Sequence, residues 1–106
     1  MFSVTAKNAM LNGLLSQLSF GYLQLLENGV VLSTLAITSP AGLVENGYLI
    51  FKQFEGIALK SGKPNQVLLF NSQNEKLIDC GSNFLLEPMT IQAGGVIMID
   101  LAEIHY

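Results

Sequence analysis

Apolar residues recur at a four-residue step early in the chain, at Ala6, Met10, Leu14 and Leu18, and Ala9, Leu11 and Leu15 widen the stripe. That spacing keeps side chains on one side of a 3.6-residue helix and predicts a helix over residues 5–18. Ser3 or Thr5 is placed to cap its start, because a short side-chain oxygen accepts one of the first unpaired backbone N–H groups. Gly13 lies inside the stripe and costs about 1 kcal/mol relative to alanine, so a weak centre or two shorter turns is expected. The face is expected to serve core packing, since Lys7 is the sole cation on the polar side and a membrane-surface helix needs more.

From about residue 20 the pattern changes to short β-prone runs cut by turn signals. Residues 22–26 and 30–37 flank Asn28-Gly29, and Asn-Gly tolerates the positive φ of a tight hairpin turn, so the two runs are expected to pair. Along the second run Val31, Ser33 and Leu35 alternate with Val30, Leu32, Thr34 and Ala36. Both sets are largely apolar, which predicts a strand between two buried layers. Ser39-Pro40-Ala41-Gly42 and Glu45-Asn46-Gly47 read as punctuation before a strand at 48–54. Further strands are expected at 56–60, 66–71, 76–80 and 84–87, the last stopped by Pro88. Gly94-Gly95 then leads, through a bulge or tight turn, into a final strand at 96–104.

One helix followed by seven or eight short strands predicts a mainly β fold, an antiparallel, jelly-roll-like β-sandwich preceded by one short N-terminal α-helix. A doubly wound sheet would need a helix between successive strands. The 106 residues are expected to form a single domain over 1–106, with the helix at about 5–18 and the sandwich at about 20–105.

Composition changes this picture in one respect. Charged residues make up 12% of the chain, about half of the roughly 25% usual in soluble domains, while half the chain is hydrophobic. Little ionic surface is left to face water, which predicts burial against copies of itself or another protein. The apolar runs are too interrupted for a membrane-spanning helix, no secretory signal pattern opens the chain, and the expected compartment is a cell interior. The net charge of −3, five scattered lysines and no arginine argue against direct nucleic-acid binding. Cys80 is the single cysteine, and Asp79 beside it disfavours a thiolate, so it reads as a buried structural thiol.

Candidate chemistry is sparse. Glu103 and His105 would share one face of the last strand with Asp100 on the other, which reads as a terminal polar contact rather than a proton relay. One histidine and one cysteine fall short of a zinc site, and Asn71-Ser72-Gln73-Asn74-Glu75 contains no aspartate and reads as a hairpin turn. Gly94-Gly95 belongs to no phosphate-binding motif. No catalytic, cofactor-binding or metal-ligating residues are therefore expected, no cofactor is implied, and the chain is expected not to be an enzyme.

Asp79-Cys80-Gly81-Ser82, followed by Thr90-Ile91-Gln92-Ala93-Gly94-Gly95-Val96-Ile97-Met98-Ile99, resembles the C-terminal pattern of a family of small β-rich virion proteins encoded by tailed bacteriophages and prophages. Members of that family end with an I-x-A-G-G-like segment leading into an alternating strand. Lys7-Asn8-Ala9-Met10-Leu11-Asn12 is similar to its helix start. Gly21-Tyr22-Leu23-Gln24-Leu25-Leu26-Glu27-Asn28-Gly29 is similar to its first strand and turn. The middle of the chain departs from the family, because residues 66–70 carry neither the tryptophan nor the arginine usual there.

The resemblance implies a head decoration or minor capsid protein that forms a homo-oligomer, a trimer included, and docks on the major capsid protein. It implies a place in the virion, on the capsid exterior, after synthesis in the bacterial host cytoplasm. A tail or tail-fibre adaptor is the alternative within that class, and a small ligand-binding sandwich is the alternative outside it. If capsid docking is right, Met1, Phe2, the helix face and Tyr106 are expected to lose solvent on assembly.

Overall fold

The computed structural model describes residues 1–105. Helix α1, Val4–Leu18, runs unbroken through Gly13, where an added Cβ would meet nothing within 4 Å. Ser3 is the cap, its Oγ accepting the Ala6 N–H at 3.1 Å, and Thr5 lies inside the first turn. The helix tolerates its glycine because packing, more than propensity, holds short helices. Leu11 and Leu18 are fully buried, and Leu14 and Leu15 lean on the main core. Ala9, expected in the stripe, is exposed. After Ser19 the chain reverses through Phe20, a bulky residue at φ 61 whose ring stands 75% exposed.

β1 (Tyr22–Glu27) and β2 (Val30–Ala36) form the expected hairpin around Asn28 at φ 50 and Gly29 at φ 83. β1 also pairs with β6 (Gln66–Phe70), and β6 with β7 (Lys76–Gly81), giving an antiparallel sheet in the order β2-β1-β6-β7. The loop between β6 and β7 is organised by buried Asn71, whose Oδ1 accepts the N–H groups of Gln73 and Glu75, both at 2.9 Å. This is the local side-chain turn that its composition predicted.

The remaining strands differ from expectation in four places. Asn46 at φ 51 and Gly47 at φ 82 make a second tight hairpin, so the segment read as punctuation contains β3 (Gly42–Glu45), paired with β4 (Tyr48–Phe51). The strand expected at 48–54 is two strands in different sheets, because β5 (Phe54–Ile57) leaves β4 and pairs with β8 (Val96–Ile99). The long last strand is likewise split. β8 stops at Ile99, Leu101 bridges to Leu85, and β9 (Ile104–His105) joins the β3-β4 sheet. Residues expected as a strand at 84–87 instead carry a 3-10 turn over Ser82–Phe84 and that single bridge at Leu85. The Ser39–Pro40 peptide between β2 and β3 is cis.

The inner side of the four-stranded sheet, with Leu23, Leu25, Leu35, Val67 and Leu69, packs on Phe54, Ile97 and Ile99 from the β5-β8 layer. This makes the fold mainly β, with antiparallel sheets in a sandwich-like arrangement behind a single N-terminal helix. Where the layers cross, β2 carries a bulge. Leu25 pairs with Ser33 and Leu26 with Val31, which leaves Leu32 as the extra residue. β2, expected between two buried layers, lies at the edge of its sheet with one face open, and through the bulge Leu32 and Ser33 are both buried while Val30, Thr34 and Ala36 are exposed. The bulge also frees the Leu32 carbonyl, which accepts the N–H groups of Leu59 and Lys60 at 2.8 and 3.1 Å, and Ser33 Oγ donates to the Ile57 carbonyl at 2.9 Å.

Gly94-Gly95 behaves as the sequence suggested. Gly95 N–H donates to Gln92 O at 2.9 Å with Gly94 at φ 82, a tight turn, and both glycines face Ala58 through Gly94 N–H to Ala58 O and Ala58 N–H to Gly95 O. Two residues opposing one, the first a glycine with left-handed backbone, make a bulge at the start of β8.

Candidate interaction surfaces

The polar residues singled out near the C-terminus are dispersed. His105 pairs across the sheet with Tyr48, their rings 5.2 Å apart and tilted by 56°. Asp100 instead accepts a long 3.5 Å hydrogen bond from Gln53 Nε2, and no hydrogen bond joins Glu103 to His105 among the described residues. Glu103 lies before β9, outside the strand that was expected to align it with His105. Among the described residues no group of three or more His, Cys, Asp or Glu side chains is arranged to hold a metal ion.

Cys80 is half-buried rather than fully enclosed. Burial, and after it the negative charge of Asp79, pushes its thiol pKa up, so the reactive thiolate is disfavoured, as its sequence neighbour suggested. Asp79 itself is drawn down by the hydrogen bond from Gln66 Nε2 at 2.9 Å and by that from Lys76 Nζ at 3.1 Å.

Three hollows cluster around residues 82–92. One is a slit of about 70 Å³ between β8 and Pro88, the second an open groove of about 410 Å³ along Thr90 and Val96, and the third a groove of about 460 Å³ between Lys63 and Leu86. None of these three is lined by an aromatic side chain. Small-molecule sites usually bring aromatics and convergent polar groups together, and these three hollows lack the aromatics.

The terminal residues fare unevenly. Met1 is fully exposed and Phe2 is 56% exposed, while Tyr106 lies outside the described residues. The helix face expected to cover a neighbour is already used, since Leu11 and Leu18 are buried and α1 packs on the β3-β4 hairpin. The Gly47 N–H donates to Asn8 Oδ1 at 2.7 Å, which ties that hairpin to the helix. Removing the last three residues would delete β9 along with Tyr106, because Ile104 pairs with Leu49 and His105 with Tyr48. Such a truncation disturbs a sheet and does not isolate an interface.

Two surfaces missed by the sequence reading stand out. Cross-strand pairing puts Ile57 opposite Val96 and Glu55 opposite Met98 on the outer face of the β5-β8 sheet, and Ile57, Val96 and Met98 are 59, 77 and 57% exposed. On the outer face of the β3-β4-β9 sheet, Leu43 sits opposite Ile50 and Tyr48 opposite His105, with Leu43 and Tyr48 exposed. The signal for the first was present in the Val-Ile-Met-Ile run, which is apolar at every position although only alternate side chains can reach one core. The second depended on β3, which was not recognised as a strand.

No protein family, curated protein or solved structure matches the chain. No helix among the described residues is long and apolar enough to cross a membrane.

Proposed function

We propose that the chain is a non-enzymatic structural component of a tailed-phage virion, a decoration or minor capsid protein that associates with itself and with the major capsid shell. The observation that carries this reading is the placing of exposed apolar side chains on the outer faces of two different sheets, Ile57, Val96 and Met98 on one and Leu43 and Tyr48 on the other. A lattice-reinforcing protein must contact at least two neighbours at once, and separate faces on separate sheets provide for that. Low charge supports the same reading, because a chain with 12% charged residues has few groups with which to solvate such faces. The sequence resemblance in residues 7–12, 21–29 and 79–99 supplies the virion context. Exposed Phe20, Met1 and Val4 add further apolar surface near the helix ends.

The test is protein composition and image reconstruction of purified particles made with the gene in its phage setting, with copies counted against the major capsid protein. Many ordered copies on the shell would support decoration. Copies confined to the tail would move the protein to the adaptor class, and particles without it would overturn the proposal.

A further inference from the structure

We infer that, of the two Asn-Gly hairpin turns, Asn28 is the one that undergoes spontaneous deamidation in the folded protein, while the like turn at Asn46 is shielded by Asn8. The inference is independent of the virion reading. Both turns read Asn-Gly, and both have nearly the same backbone, with φ 50 and 83 at Asn28 and Gly29 and φ 51 and 82 at Asn46 and Gly47. A difference in reactivity must therefore come from their surroundings.

In the reaction the glycine amide nitrogen gives up its proton and attacks the asparagine Cγ, forming a five-membered succinimide. The Cγ–Nδ2 bond breaks, and ammonia leaves with the proton that the glycine nitrogen released. Water then opens the ring at either carbonyl, giving aspartate or isoaspartate. No electrons are transferred and no co-reactant beyond water is needed. Glycine favours the attack because no Cβ crowds its nitrogen.

At the second turn the nucleophile is occupied. The Gly47 N–H donates to Asn8 Oδ1 at 2.7 Å, Gly47 is buried, and the Lys7 side chain lies 3.3 Å from where a glycine Cβ would be. Deprotonation and attack there require that the hairpin leave the helix. At the first turn Asn28 and Gly29 are both exposed, the space around Gly29 is open, and its N–H has no partner among the described residues. What is held instead is the electrophile. Asn65 Nδ2 donates to Asn28 Oδ1 at 2.9 Å, and Asn65 Oδ1 accepts the Asn28 N–H at 3.1 Å. A donor on Oδ1 sits on the atom that gains negative charge as Cγ is attacked, the arrangement that stabilises a tetrahedral intermediate.

The product is a new carboxylate next to Glu27, whose Oε2 accepts the Lys63 N–H at 3.3 Å. In its isoaspartyl form it also lengthens the backbone by one methylene in a turn that sets the pairing of Glu27 with Val30. The β1-β2 hairpin tip thus acquires charge with age, and the β3-β4 tip does not.

The experiment ages the full-length protein at mildly alkaline pH and follows both turns by peptide mapping that separates asparagine, aspartate and isoaspartate. A parallel sample is kept unfolded in urea. In the folded protein Asn28 should convert about tenfold faster than Asn46, a difference of about 1.4 kcal/mol in barrier, and the two should converge in urea. Asn8→Ala should raise the rate at Asn46 and leave Asn28 unchanged. Equal rates in the folded state, a silent Asn28, or a gap that persists in urea would each overturn the inference. Should Asn8→Ala disrupt the fold, the wild-type comparison between folded and urea samples still decides.

Discussion

Glycine does opposite work at different positions of this chain, and the surroundings of each predict the sign of a substitution. At Gly13 an added methyl meets open space in mid-helix, so Gly13→Ala should stabilise the protein by about 0.5–1 kcal/mol through lower unfolded-state entropy and better helix propensity. At Gly21 the same methyl would lie 1.9 Å from the Phe70 carbonyl oxygen, a backbone atom fixed in the sheet. Gly21→Ala should therefore cost about 1–3 kcal/mol or more. Urea midpoints of the two variants should move in opposite directions, and a shared direction would refute the packing around one of them. Asp79 offers a residue-scale test in acid. Its carboxyl is held below the ordinary aspartate value, so its contribution is fully present above that value, about pH 4, and is lost as the pH falls through the folded-state value. Below about pH 4 the wild type should lose stability relative to Asp79→Asn, whose side chain does not titrate. Parallel urea midpoints for the two proteins across that range would show that the contacts with Gln66 and Lys76 do not act on folding.

At the scale of elements, legibility followed how local each signal was. Asn28-Gly29 and the apolar runs around it specify a hairpin within sixteen residues, and β1 and β2 formed where the pattern put them. The helix was equally legible from its four-residue step. The splits at Lys52-Gln53 and at Asp100 were not, because which sheet a short strand joins depends on distant partners such as Leu85 and Leu49. The bulge at Leu32 was hidden for the same reason. It answers to β5, which lies more than twenty residues away, and its carbonyl and the Ser33 hydroxyl together fasten β2 to the second layer. Ser33→Ala removes this part-buried hydrogen bond, leaves the Ile57 carbonyl without that donor, and should cost about 1–2 kcal/mol. Hydrogen exchange should rise locally at residues 57–60 in this variant. A loss of stability without that local change would mean that Ser33 acts through packing alone.

The molecule is longer than a compact chain of its size, with extents of 43 × 25 × 21 Å and a radius of gyration of 13.9 Å, against about 13 Å for a compact domain of this length. Elongation spreads a modest core and leaves twelve large apolar side chains exposed among the described residues. The low charge pointed to apolar surface, but composition carries no position, so the exposed faces emerged only once β3, β5 and β8 were placed. Met1 and Phe2 are exposed, as a terminal contact requires, yet the sheet faces offer more rigid ground than a chain end. This separates folding from assembly. Val96 and Met98 point out of the β5-β8 sheet and contribute little to the core, so replacing both by lysine should change monomer stability by no more than about 0.5 kcal/mol for each exposed site. The same pair of charges would have to be desolvated, unpaired, in any contact that covers this face. Sedimentation of the purified variant should then show less self-association at matched concentration, and particles assembled with it should carry fewer copies. Unchanged association together with unchanged copy number would exclude the β5-β8 face from assembly and leave the Leu43 and Tyr48 face as the surface to test next.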